Sequence, residues 1–292
     1  QGVRRQRQMC IRDSLKSKLP RKAPVRLKAF VAYPVGGKMD TRTLASINLH
    51  AILRSCVPLV NNDPVARNIV KDSDISVRFD AAGITPLTLI FDHGTARSET
   101  SNSSKADLRL GLVSPEHVNT MIAGKSIPVP IWGARHMSFL TGPLTELTDR
   151  LSYIFQTPPN RVLTTEKENL KTLLTAYIVF ASLCEVANTD PIGQELANTL
   201  HDGGLTIEIP SADMTYACQI KDHHLTFSPD DSPLDPLSWI TFDSKETFQS
   251  VLDGSADVYA LIGLGKIAIR GYVPNINVVS KMLRRVSHYL VP

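Results

Sequence analysis

The feature that most constrains this chain is that it repeats itself. Residue i set against i+130 from Ile75 to Lys125, without a gap, aligns nine identical pairs out of 51. They are Ala82/Ala212, Thr85/Thr215, Ile90/Ile220, Asp92/Asp222, His93/His223, Ser98/Ser228, Ser114/Ser244, Glu116/Glu246 and Gly124/Gly254. Average residue usage would give about three. Upstream, Asn61-Asn62-Asp63-Pro64-Val65 matches Asn188-Thr189-Asp190-Pro191-Ile192 at spacing 127. Downstream, Phe139 to Gly142 aligns with Ala268 to Gly271 at spacing 129, through the glycine alone. A chain of 292 residues has room for two modules that each bury a core. The expected division is 39–157 and 164–292, with a linker around Pro158-Pro159.

Both stretches read through the same elements. An apolar helix opens each, carrying Leu49, Ile52, Leu53 and Cys56 in the first and Leu170, Leu173, Leu174, Tyr177, Ile178 and Ala181 in the second. Thr165 with Glu168 predicts a capping box at the second helix. Asp63-Pro64 and Asp190-Pro191 restart the chain with proline at a first helical position. Strands are predicted at 75–79 and 205–209, then at 87–91 and 215–220. Asp92-His93-Gly94 and Asp222-His223-His224 follow as hairpin turns. Further strands (108–112; 239–242) lead to helices capped by Ser114 and Ser244, with Glu116 and Glu246 in the first turn. These helices end at Gly124 and Gly254. A last strand is predicted at 137–140 and 266–269, ending at Gly142 and Gly271. Amphipathic helices close each copy, through Leu144, Leu147, Leu151, Ile154 and Phe155, and through Val279, Met282, Leu283, Val286, Tyr289 and Leu290.

Charge is unevenly placed. Residues 1–28 hold ten Lys/Arg and one acid, which leaves 22 basic and 27 acidic residues elsewhere, a balance of −5. A basic head can be a nucleic-acid or anionic-membrane arm. Gln8 to Ser14 (QMCIRDS), however, resembles the translation of a transposon end used in library preparation. Gly36-Gly37-Lys38-Met39 matches a bacterial ribosome-binding site followed by a start codon. Residues 1–38 are therefore expected to be a non-native or disordered leader, with no nucleic acid as partner. The longest mainly apolar stretch, Leu173 to Cys184, is shorter than the roughly 20 residues a bilayer span needs and reads as a buried helix. The four cysteines are far apart and lack CxxC spacing. Free thiols in a reducing, cytoplasmic compartment are expected.

The order of elements, above all in Ile240 to Gly271 (ITFDSKETFQSVLDGSADVYALIGLGKIAIRG), resembles the sterol-carrier-protein family. The resemblance implies an α+β fold of two tandem modules, each a five-stranded, mainly antiparallel sheet with helices over one face. It implies an apolar tunnel for a sterol, a fatty acyl chain or an isoprenoid-type lipid. The first copy departs from the pattern, because Pro128 and Pro130 stand where the second copy has a short helix at 256–262. The better-formed pocket is thus expected in the second copy. It would be bounded by Phe248, Val251 and Leu252, then Tyr259 and Ile262, then Val279, Met282, Leu283 and Val286. Apolar stripes also serve as plain core, so these residues carry both readings.

Nothing in the sequence assembles an active site. His223-His224 lacks the three or four convergent ligands of a zinc site. The run Ser98 to Ser104 has no adjacent base, and Gly263-x-Gly265-Lys266 fits neither phosphate-binding nor dinucleotide spacing. The expectation is a non-catalytic binder or transporter of hydrophobic lipid, without cofactor or metal, touching a membrane surface transiently. The alternative is a scaffold or accessory subunit of a lipid-linked biosynthetic complex.

Overall fold

The computed structural model describes residues 39–101, 105–155, 164–228, 236–252 and 255–290. The leader, the linker and the Gly254 cap lie outside the described residues. The first half opens with a helical stretch α1 (Thr41–Asn62), interrupted by a π turn over Asn48–Leu53. Asp63 ends it and caps α2 (Pro64–Ile69). Strands β1 (Asp74–Ala81), β2 (Leu87–Asp92), β3 (Thr95–Glu99) and β4 (Leu108–Leu112) follow, then α3 (Pro115–Ile122) and β5 (Val129–Trp132). Two closing helices end this half, α4 (Met137–Thr141) and α5 (Pro143–Phe155). The second half runs α6 (Thr165–Thr189), α7 (Pro191–Ala197), β6 (Gly203–Ile209), β7 (Met214–Lys221), β8 (His224–Ser228) and β9 (Pro236–Phe242). It finishes with α8 (Lys245–Leu252), α9 (Val258–Gly263), β10 (Ile267–Gly271) and α10 (Val273–Leu290).

The two five-stranded sheets have the same order, β3-β2-β1-β4-β5 and β8-β7-β6-β9-β10. In each, one neighbouring pair is parallel (β1 with β4, β6 with β9) and the other pairs are antiparallel. The expected α+β architecture is therefore present twice. Ser114 caps α3 through His117 N–H (3.2 Å), and Ser244 accepts from Thr247 N–H (3.2 Å) at the start of α8. Both Asp-Pro steps cap as expected, Asp63 on Ala66 N–H (3.3 Å) and Asp190 on Gly193 N–H (2.9 Å). The capping box at Thr165 does not form: Thr164 is the N-cap and its side chain makes no capping bond.

The fixed spacing of 130 is corrected by the pairing. The β2–β3 and β7–β8 turns are two-residue loops, His93-Gly94 and Asp222-His223, all with positive φ (44°, 86°, 50° and 64°). Equivalent positions there are 129 apart, so Ile90/Ile220, Asp92/Asp222, His93/His223 and Ser98/Ser228 stand one residue out of step. On the central strands Val77 matches Leu205, a spacing of 128, because each pairs in parallel with Leu108 and Ser238, which are 130 apart. Ser114/Ser244 and Glu116/Glu246 keep 130. Single-residue differences in turn length accumulate, which an ungapped comparison cannot follow.

A second correction concerns the last strand of the first half. Residues 137–140 form a helix, and the strand is Val129–Trp132, which contains Pro130 and directly follows Pro128. Pro130 is tolerated because β5 is an edge strand. The counterpart of Gly271 is Gly133, not Gly142. Both have φ in the left-handed range (74° and 84°), and an added Cβ would lie 1.8 Å from the Asp107 carbonyl or 2.1 Å from that of Leu237.

The halves share one contiguous apolar core. Helix α6 packs against α1 on one side and against α10, β7 and β8 on the other. Its buried residues therefore run right round it, from Leu174 through Val179, Phe180, Leu183 and Cys184 to Ala187, rather than along the single stripe expected. Both α1 and α6 are long and apolar enough to cross a membrane by length and composition, but 72% and 78% of their apolar windows are buried in the fold. Across the junction Ser46 donates to Glu185 and Thr189 to Thr43.

Candidate functional site

The expected pocket residues fall into three groups. Phe248 on α8 is buried, its ring centroid 5.1 Å from Phe242 and 6.0 Å from Phe180. Val279, Met282 and Val286 on α10 are also buried, Met282 completely. Val251, Leu252, Ile262 and Leu283 are only partly buried, packed against the same core. Tyr259 is 82% exposed and faces solvent, so it is not brought in with the others. Helices α8 and α9 lie beside β9 and β10 respectively, at the open edge of the second sheet. Of eight residues in α8 and six in α9, those buried are Thr247, Phe248 and Leu261. Asp257 caps α9 by accepting from Ala260 N–H (2.8 Å). This layer is thus held at its ends by polar caps and covers its apolar side chains incompletely.

Two ion pairs on buried aspartates, missed in the sequence, hold the closing helices onto the restart helices. Arg150 of α5 grips Asp63 with two bonds (2.7 and 3.1 Å). Arg285 of α10 grips Asp190 at 2.9 to 3.2 Å, and Tyr289 donates to the same carboxylate. The Tyr289 hydroxyl also accepts from Asp40 N–H (3.1 Å), tying the second half's last helix to the first half's first cap. Burial alone would raise the Asp190 carboxyl, but the bonds from Arg285, Tyr289 and Gly193 N–H hold it below its usual value. Burial and the Asp190 bond together raise the Tyr289 hydroxyl. The signal was legible in principle: an arginine next to a buried apolar residue in each closing helix, Arg150 before Leu151 and Arg285 before Val286.

A second repeated arrangement lies on the sheet faces away from the core. Asp80 binds Arg78 and Arg109, while Glu208 accepts from Thr241 (2.8 Å) and Arg270 (3.2 Å). Arg109 pairs across strands with Trp132, and Trp239 with Arg270, so the Arg and Trp have exchanged strands between the halves. Burial works to raise Asp80, yet the hydrogen bonds from Arg109 and Arg78 hold it below the usual carboxylate value. These salt links tie strands of each sheet together.

The three described cysteines are free; burial pushes Cys56 up to about 12, and Cys184 and Cys218 lie 3.6 Å apart. His93 bonds its neighbour Asp92 (2.7 Å) in an exposed turn, a bond that raises its pKa above the ordinary histidine value. Among the described residues no group of three or more His, Cys, Asp or Glu could hold a metal ion.

No protein-family model matches the sequence, and no curated protein matches it. Solved structures that resemble it include sterol carrier domains. A UbiJ-SCP2 ubiquinone synthesis protein is similar at 12% identity and TM-score 0.31, over 38% of this chain and 98% of that one. The sterol carrier protein domain 2 of Helicoverpa armigera matches at 15% identity and TM-score 0.30, over 40% of this chain and 89% of its own. Sterol carrier protein 2 of Yarrowia lipolytica, in its apo form, matches at 18% identity and TM-score 0.27, covering 36% and 92%.

Proposed function

We propose that this chain is a non-catalytic carrier of a hydrophobic lipid, built as two tandem modules over 39–157 and 164–292. The ligand sits in the second module, under α8 and α9. One observation carries this reading: Val251, Leu252, Ile262 and Leu283 are each only half-buried against a packed core, and the short helices α8 and α9 bury few of their own side chains. A lipid that covered them would contribute about 25 cal/mol for each Å² of apolar surface removed from water. Phe248, Val279, Met282 and Val286 form the floor, already packed, and Tyr259 stands outside. Free buried thiols suit a reducing compartment, and we place the protein in a bacterial cytoplasm.

The test is native mass spectrometry of the protein extracted from its own cells, joined to titration with a fluorescent fatty acid and a fluorescent sterol. Co-purified lipid and saturable probe uptake are expected, with uptake abolished by Ile262→Trp at an unchanged melting temperature. Protein free of lipid, indifferent to both probes and bound to other proteins would replace this reading with that of an accessory subunit.

A further inference from the structure

The first half carries an apolar surface that the lipid pocket does not use. Arg109 and Gly111 alternate along β4 with the buried Leu108, Leu110 and Leu112, so they face away from the core. The partner strand β5 places Val129 opposite Gly111 and Trp132 opposite Arg109, and a register shift between Arg109 and Leu110 leaves Ile131 as the extra residue. Ile131 lies directly over Gly111: a Cβ there would meet its Cδ1 at 2.9 Å. Val129, Ile131 and Trp132 therefore share the outer face. Val113, next in the β4 alternation, extends them. All four are exposed, Trp132 by 71% and Val113 by 73%.

The surroundings decide what can cover this stripe. Lys125 leads into β5, Arg135 follows it, and Lys105 and Arg109 lie on the approach to β4 and on β4 itself, all exposed. The nearby acids are Asp80, held by Arg78 and Arg109; Asp107, whose carboxylate accepts from Ser76 N–H (2.9 Å); and Glu116, which stays exposed. The rim is net cationic. A second strand adding to β5 would need an unbroken ladder, which Pro128, Pro130 and the bulge deny it. A fluid surface needs no register. Tryptophan with aliphatic neighbours and a basic rim suits the interface of a bilayer bearing anionic headgroups.

We infer that the outer face of β4–β5, centred on Ile131 and Trp132, docks this protein onto an anionic lipid bilayer. The inference deepens the lipid-handling reading and takes its biological sense from it, but the surface is separate from the pocket.

The chain has two tryptophans, so Trp239→Phe leaves Trp132 as the sole reporter. With vesicles of phosphatidylcholine and phosphatidylglycerol, its emission should shift to the blue and be quenched by brominated acyl chains. Phosphatidylcholine alone should give neither change. In the otherwise native chain, Ile131→Ser with Trp132→Ser should cut vesicle co-sedimentation roughly tenfold or more, as should Lys125→Glu with Arg135→Glu. The second pair lies at exposed positions outside β5 and covers the case in which the first disturbs the strand. No shift on anionic vesicles, an equal shift on neutral ones, or a shift from self-association without vesicles would overturn the inference. Fatty acid uptake is measured separately: docking without uptake would remove the pocket and keep this surface, and uptake without docking the reverse.

Discussion

The two halves have the same strand order and close it differently. In the second half a short helix precedes the fifth strand, and the outer Trp239–Arg270 pair is engaged, Arg270 stacking 5.9 Å from the indole centroid and bonding Glu208. In the first half the helix is absent, prolines carry the chain straight into β5, and Trp132 stands open to solvent. The same framework thus exposes aromatic surface at the strand edge in one half and an incompletely covered helical layer in the other. Where a strand order is held by central pairings, the edge is free to diverge, because few core contacts depend on it.

The largest contrast is expected at the two ion pairs. Asp190 is completely buried with Arg285 almost so, whereas Arg150 keeps 22% of its side chain exposed. Arg285→Ala leaves a buried carboxylate unpaired and should cost about 3–5 kcal/mol in urea unfolding. Arg150→Ala should cost clearly less, since water can reach Asp63 in its place. Equal losses would show that the halves are equally closed around these pairs.

Next comes the contrast between floor and open layer within the second half. Met282→Trp overpacks a fully buried site and should cost about 1–3 kcal/mol. Ile262→Trp enters the half-buried layer and should leave the melting curve in place while blocking the fatty acid probe. If both variants melt early, the layer is ordinary core.

Acid should loosen the grip of Arg285 on Asp190. Asp190 is held below the unfolded aspartate value of about 3.9, so its contribution is complete above that pH and is lost as pH falls through the lower folded value. Unfolding free energy measured from pH 5 downward should decline, and Asp190→Asn should flatten that slope. An unchanged slope would place the acid sensitivity in the other lowered carboxylates, Asp80 among them.

The smallest effect distinguishes the two hairpins. His93 should titrate by NMR above the ordinary histidine value, and Asp92→Asn should return it toward 6.5. Because the raised value belongs to the folded state, any stabilisation is present below the unfolded pKa and disappears as pH rises through the folded one. A titration unmoved by Asp92→Asn would show that the turn's charge, rather than the bond, sets it.

The elements themselves were decided locally and were legible in the chain. Ser114, Ser244, Asp63 and Asp190 cap because a side-chain oxygen reaches an N–H two or three residues on, whatever lies around it. Alternation in ISVRF and LTIEI marks strands for the same reason, and the apolar spacing of 144–155 and 279–290 marks closing helices. Tertiary structure decided the rest. Whether Val129–Trp132 or 137–140 is the fifth strand depends on what pairs with β4, which no window of local sequence contains. The grip of Arg285 on Asp190 spans 95 residues. The burial of Met282 against the exposure of Tyr259, both apolar-faced residues in the sequence, follows from which helix lies against the core. Local propensity acts over one turn of chain; pairing, burial and charge compensation are settled only when distant segments meet.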